Sequence, residues 1–198
     1  MYKINELPTP CFVIDEGKLE ENLKILHQVE ERTGAKILLA QKCFSCFSEY
    51  PLIGKYISGT TASGLYEARL GKEEMGLENH VYSPAYRPQD MEELAQICDH
   101  IIFNSEKQLR TYLPVLKASG TAKAGLRINP ECSTQEGHAI YDPVRPAPAW
   151  ASAPAILQTN WLILWTVFIF IPSVNRIRMI WKPRCAPWKK NSASGFLK

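Results

Sequence analysis

Lys42 follows the apolar run Ile37-Leu38-Leu39-Ala40-Gln41, which places an amine at the C-terminal end of an early buried strand. With apolar chain behind it, such a lysine is partly desolvated, which favours the neutral amine, and a neutral amine forms a Schiff base with an aldehyde. A solvated lysine on a strand rim is the plainer reading, and spacing alone favours it. Arg127, inside Leu126-Arg127-Ile128-Asn129-Pro130-Glu131, is a charge in another buried strand. It must pair with an acid, the commoner solution, or face a ligand cavity. Gly59-Thr60-Thr61-Ala62-Ser63-Gly64-Leu65-Tyr66-Glu67-Ala68 carries a strand end into a helix start through small residues. Such a turn either lets a ligand approach the backbone or is an ordinary capped connection.

Other reactive side chains point to less. Cys43-Phe44-Ser45-Cys46 has Cys-x-x-Cys spacing, but no thioredoxin-like context and no second pair for zinc, so two buried small residues at a helix start are expected. The histidines, His27, His80, His100 and His138, are scattered along the chain, and no metal cluster or catalytic triad suggests itself.

The elements that must position these residues alternate regularly. Cys11–Ile14 reads as a strand. A helix follows from Asp15 to near Gly34, with Leu19, Leu23, Ile25, Leu26 and Val29 at helical spacing. Further strands are expected at 36–40, 57–62, 80–83, 100–104 and 123–129. Helices are expected at 45–56, where Pro51 intrudes, at 65–76, at 90–98, and from a Ser105 cap to about Ala118. Strands alternating with helices imply a parallel sheet, and the nearly all-apolar strands suit one covered on both faces. The sheet can be an open doubly wound one or a (β/α)8 barrel. No Gly-x-Gly-x-x-Gly follows a strand, so the dinucleotide-binding version has no support. Six βα steps would be roughly half of a barrel of about 250 residues.

Composition divides the chain. It has 198 residues, 45% hydrophobic and 22% charged, with a net charge of +3. Residues 1–143 carry 15 Lys and Arg against 20 Asp and Glu, a balance of −5; residues 144–198 carry 8 basic residues and no acid, a balance of +8. All five tryptophans (Trp150, Trp161, Trp165, Trp181 and Trp188) lie in the second part. The overall basicity therefore describes neither part and supports no nucleic-acid partner. The polar start, Met1–Pro10, does not read as a signal peptide, and six irregularly spaced cysteines read as reduced thiols in the cytoplasm. The apolar run Trp161–Ile171 is about half the length of a membrane span and is closed by Pro172, so no membrane anchor is expected.

Several of these segments resemble one family. Leu7-Pro8-Thr9-Pro10-Cys11-Phe12-Val13-Ile14-Asp15, Ala40-Gln41-Lys42, Gly59 to Gly71, Val81-Tyr82-Ser83-Pro84-Ala85-Tyr86, His100-Ile101-Ile102-Phe103-Asn104-Ser105 and Leu126-Arg127-Ile128-Asn129-Pro130-Glu131 are similar to the N-terminal part of carboxynorspermidine decarboxylases. That family belongs to the pyridoxal-phosphate enzymes related to alanine racemase and ornithine decarboxylase. The resemblance covers nearly all of residues 5–143. It implies an α/β fold, the N-terminal portion of a (β/α)8 TIM-like barrel, with a C-terminal β-domain and usually a homodimer in the intact enzyme. It implies that Lys42 is the catalytic lysine binding pyridoxal 5'-phosphate, with Arg127 near the cofactor. It further implies that carboxynorspermidine or carboxyspermidine is the small-molecule substrate. Gln41 departs from the Leu often found before the lysine.

After Tyr141-Asp142-Pro143 the family pattern stops. Re-pairing the third base of each codon with the first two of the next gives forced residues. Trp150-Ala151 must yield Gly, Trp165-Thr166 and Met179-Ile180 Asp, and Trp181-Lys182 and Trp188-Lys189 Glu. From Trp165 the shifted frame can read Asp-Gly-Val-Tyr-Phe-His, like the family's next strand, although degenerate codons permit other readings. The expectation is a barrel portion over 1–143 and an aberrant, out-of-frame and poorly ordered tail over 144–198, giving a truncated and inactive decarboxylase whose own pairing is in doubt. The alternatives are another decarboxylase or racemase of this cofactor class, or a non-catalytic regulator that carries pyridoxal phosphate or binds a decarboxylase.

Overall fold

Asp15 opens the first helix, α1 (Glu16–Thr33), by accepting a hydrogen bond from the Lys18 backbone N–H, and Gly34 closes it in the left-handed conformation. A computed structural model of the protein describes residues 6–127 and 167–169. The tail 144–198, except for its three residues 167–169, lies outside the described residues, as do Ile128–Glu131 and His138.

The strands are β1 (Leu38–Ala40), β2 (Gly59–Ala62), β3 (Glu78–Tyr82), β4 (His100–Phe103), β5 (Lys123–Arg127) and β6 (Val167–Ile169). They lie in the order β1-β2-β3-β4-β5-β6, and every neighbouring pair is parallel. Between them run a short 3-10 turn leading into α2 (Tyr50–Ile53), then α3 (Leu65–Leu70) continued by a π-helical turn (Gly71–Met75), α4 (Pro88–Ile97) and α5 (Glu106–Ser119). This order decides between the two sheets that the sequence allows. A doubly wound sheet reverses its strand order at a switch point, whereas a barrel adds each strand on the same side of the last. No reversal occurs among the described strands, so the winding is that of a barrel segment.

The pleat sorts the side chains. Val81, Ile101, Phe103 and Leu126 are buried with Ala68 of α3, Leu94 of α4, and Leu109 and Leu116 of α5. Of the other parity, Glu78, His80 and Tyr82 on β3 and Lys123 on β5 are half-buried or exposed, whereas Ile102 on β4 and Arg127 on β5 are buried. The helices thus cover one face and the second face is turned away from them.

Asn79 binds three elements at their centre. It is fully buried. Its Oδ1 accepts from Thr60 Oγ1 of β2 at 3.1 Å, and its Nδ2 donates to the carbonyls of Ala68 (2.8 Å) and Ile97 (3.2 Å). Its backbone N–H donates to Asp99 Oδ2 at 2.8 Å. Gly71 lets the helical segment descend onto the same spot, since a Cβ there would lie 2.3 Å from Thr60 Oγ1.

Two expectations differ from the structure. Cys11–Ile14 forms no strand, and Phe12 and Val13 are exposed. A strand needs a hydrogen-bonded neighbour, and none among the described residues pairs with this segment before α1 begins. The helix expected over 45–56 shrinks to Tyr50–Ile53, with Pro51 in its first turn, where a missing N–H costs nothing. The cap at Ser105 is present, its side chain accepting from Gln108 N.

Asn79→Ala removes the donor to the Ile97 carbonyl and the acceptor for Thr60 Oγ1, while the Ala68 carbonyl keeps the Gly71 N–H. It is expected to cost about 1–3 kcal/mol. Gly71→Ala forces a clash with Thr60 and is expected to cost about 1–3 kcal/mol. Urea denaturation followed by circular dichroism measures both, and an unchanged midpoint for either would remove the role assigned to it.

Candidate functional site

Lys42 lies two residues beyond the C-terminal end of β1, in the turn that follows the strand, and its side chain is exposed. The solvated reading of this lysine matches its exposure, while its place on the rim is where barrel chemistry gathers. By parity with Leu38 and Ala40 it continues the face of the sheet away from the helices.

Arg127 ends β5 on the same face and at the same pole. It is buried, with 5% of its surface exposed. No carboxylate pairs with it among the described residues, so the expected acid partner is absent there. Its Nη1 donates to the Tyr82 hydroxyl at 2.7 Å, and its guanidinium lies over the Tyr82 ring, 5.0 Å from the centroid. The Tyr82 hydroxyl in turn donates to Asn104 Oδ1 at 2.9 Å. A buried guanidinium is thus held by a ring face and a phenol oxygen across β3, β4 and β5.

Tyr86 secures this rim from beneath. Its hydroxyl accepts from Ser83 N at 3.0 Å and faces the carbonyls of Ile102 (2.8 Å) and Val81 (3.2 Å), tying the ends of β3 and β4 together. Burial pushes its phenol far above the ordinary tyrosine range, so it stays protonated as a donor. Tyr82, Asn104 and Tyr86 lie within the family-like segments, but residue type and spacing give them no role. For Tyr82 the signal was available: it shares the strand parity of His80 and ends a strand at the rim.

The turn after β2 carries one side-chain contact to its backbone, while Gly64 at the start of α3 has no side-chain cap. Glu67 Oε2 accepts the Ser63 backbone N–H at 2.7 Å. The two motif cysteines are not buried. Cys43 is exposed and Cys46 half-exposed, because α2 starts four residues later than Cys46 and leaves them in the preceding loop.

The histidines are less scattered than their positions suggest. Parallel register sets His80 beside His100, with ring centroids 4.2 Å apart. Glu78, two residues before His80 on the same face, places Oε1 2.8 Å from His80 Nε2 and 3.5 Å from His100 Nδ1. Burial pushes the Glu78 carboxyl up, but hydrogen bonds from Lys36 and His80 outweigh it and hold the group below its ordinary value. Burial, and then the neighbouring His80, lowers His100. This cluster starts β3 and β4, at the pole opposite Lys42.

No family model matches the chain. Over 140 residues, 71% of its length, it is 41% identical to carboxynorspermidine/carboxyspermidine decarboxylase of Herminiimonas arsenicoxydans. Over that stretch the chain is similar to the carboxynorspermidine decarboxylases. The enzyme of that name from Campylobacter jejuni is 38% identical over 138 residues. Carboxyaminopropylagmatine decarboxylase of Synechocystis is 41% identical over 141 residues. These matches cover 37%, 35% and 36% of the relatives, so the chain spans little more than a third of their length. A solved carboxynorspermidine decarboxylase from Campylobacter jejuni, complexed with norspermidine, superposes with a TM-score of 0.79 at 27% identity. That superposition covers 93% of this chain and 46% of the other. D-threonine aldolase from Filomicrobium marinum (TM-score 0.57, 16% identity, 74% of this chain and 39% of that one) shares the fold. So does diaminopimelate decarboxylase from M. jannaschi (0.56, 20%, 75% and 36%).

Tyr82→Phe removes the acceptor of a partly buried, charge-assisted hydrogen bond. It is expected to destabilise the chain by about 1.5–3 kcal/mol, read from the urea midpoint. A midpoint equal to that of the parent would show that the ring alone holds Arg127.

Proposed function

We propose that residues 1–143 are the N-terminal part of a pyridoxal-phosphate-dependent carboxy-lyase barrel. Its substrate is carboxynorspermidine or carboxyspermidine, and its product norspermidine or spermidine. The observation that carries this reading is the shared pole and face of Lys42 and the Tyr82–Arg127 pair, in a chain about two-fifths identical to such decarboxylases. The equal identity to a carboxyaminopropylagmatine decarboxylase widens the substrate class to carboxylated aminopropyl amines.

The residues present fit the cofactor. Lys42 brings an exposed primary amine, which suits an aldehyde, and Arg127 brings a buried guanidinium without a carboxylate partner among the described residues, which suits an electron-rich oxygen. Pyridoxal phosphate, when bound, supplies a sink for the electron pair left behind as a carboxylate departs as CO2. Lys42 holds the aldehyde end at the rim. Tyr82 fixes the guanidinium plane from its ring and its hydroxyl, so that Arg127 presents its remaining N–H groups in one direction. Asn104 fixes the hydroxyl of Tyr82. The helix-covered core behind the strands keeps that frame rigid.

We also propose that residues 144–198 are out of frame, which the forced Gly, Asp and Glu readings support. Val167–Ile169 of this segment pairs with β5 as a sixth strand, and in-frame sequence there would supply the rest of the barrel, including its late phosphate-holding loops. The chain with this tail is therefore expected not to release CO2. As a cytoplasmic enzyme portion, residues 1–143 keep their −5 balance once the tail is set aside. Among the described residues no helix is long and apolar enough to cross a membrane.

Two measurements test the proposal. Incubation with pyridoxal phosphate, followed by removal of the free compound, is expected to leave a protein-bound absorbance that Lys42→Ala abolishes; retention of the full absorbance in that variant would remove Lys42 from the reading. Sequencing the DNA and restoring the shifted frame after codon 143 is expected to give CO2 release from carboxynorspermidine where the present chain gives none. Restored protein that binds the cofactor without releasing CO2 from any such amine would favour a regulator instead.

A further inference from the structure

We propose that Glu78, His80 and His100 form a binding site for a divalent first-row transition-metal ion, at the pole opposite Lys42 and independent of the cofactor reading. One ligand atom from each of Glu78, His80 and His100 lies within 4.8 Å of the other two. Two imidazoles and one carboxylate are the donor set of three-ligand zinc sites, which keep a further position open. With metal–ligand bonds of about 2.0–2.1 Å, tetrahedral donors stand about 3.4 Å apart. The separations of 2.8 and 3.5 Å around Glu78 Oε1 bracket that value. An ion between them requires only small side-chain movements.

The donors sit on strands rather than loops. Register fixes His80 opposite His100, and pleat parity puts Glu78 on their face. All three side chains are mostly shielded, with 12–16% of their surface exposed. One observation asks for a partner: His100 Nδ1 is buried and makes no hydrogen bond. Such a nitrogen is costly unless something takes its lone pair or its proton. Glu78 Oε1 does not, at 3.5 Å, whereas a metal would take the lone pair. Lys36 bonds the other carboxylate oxygen, Glu78 Oε2. That contact orients the carboxylate as an outer partner of a metal ligand does, leaving Oε1 for the ion. Its charge also opposes a cation, as do Lys72 and Lys123 in the adjoining cleft, with Asp99 on the favourable side. Affinity is therefore set below that of a site without lysines. Imidazole and carboxylate donors suit zinc, copper, nickel or iron.

The test uses the full chain with its accessible thiols alkylated, because Cys11, Cys43 and Cys46 would otherwise compete for metal. Equilibrium dialysis against Zn2+ is expected to load one ion per chain, and Co2+ substitution to give visible d–d bands of a nitrogen- and oxygen-bound ion. His80→Gln and His100→Gln should each weaken binding at least tenfold, with circular dichroism verifying the fold. Lys36→Gln leaves all three ligands in place and should tighten binding severalfold, which keeps the test intact if a histidine variant does not fold. Absence of stoichiometric zinc, or unaltered affinity in a folded histidine variant or in Lys36→Gln, would overturn the proposal and leave the cluster as a hydrogen-bonded network.

Discussion

Parallel register combined with the two-residue period of the pleat governs what the rest of the molecule can do. Each strand advances by one neighbour in the same direction, so residues of one parity all meet the helices and residues of the other parity all share the second face. Because every strand runs the same way, the starts of the strands gather at one pole and their ends at the other. Tyr82 and Arg127 are therefore brought to the pole of Lys42, and Glu78 and His100 to the opposite pole. A one-residue slip in β3 would send Tyr82 into the helices and bring Asn79 out.

Asn79 is the polar element that guards this register. Its amide is satisfied only if β2, α3 and the end of α4 all hold their places, since it accepts from Thr60 and donates to Ala68 and Ile97. Apolar packing among Val81, Ile101, Phe103, Leu109 and Leu126 supplies the driving force but tolerates small displacements. Directional hydrogen bonds do not. Tyr86 acts likewise nearer the rim, joining the ends of β3 and β4 beneath the residues proposed to meet the cofactor.

Most helices and five strands were legible because their signals are local. Asp15 and Ser105 announce helix starts through side-chain oxygens, and Gly34 announces an end through its left-handed backbone. The misreading of Cys11–Ile14 has the opposite cause. Its four apolar residues satisfy the pattern of a strand, but a strand exists only with a neighbour, and a pattern within one segment says nothing about the neighbour. The burial expected for Cys43 and Cys46 failed for a related reason, since the helix they were to begin starts only at Tyr50.

For the candidate site the division is similar. Lys42 could be placed at a strand end from the apolar run before it, and the family resemblance attached a cofactor to that position. Sequence by itself therefore determined the alternation of strands and helices, the rim position of Lys42 and the compositional break near residue 143. Tertiary structure decided the barrel winding over the doubly wound sheet, gave Arg127 a tyrosine in place of an acid, and joined His80 to His100 across twenty residues. The reason is physical: caps, turns and periodicity arise from neighbours along the chain, whereas strand order and the partners of a buried charge depend on which distant segments the core brings together.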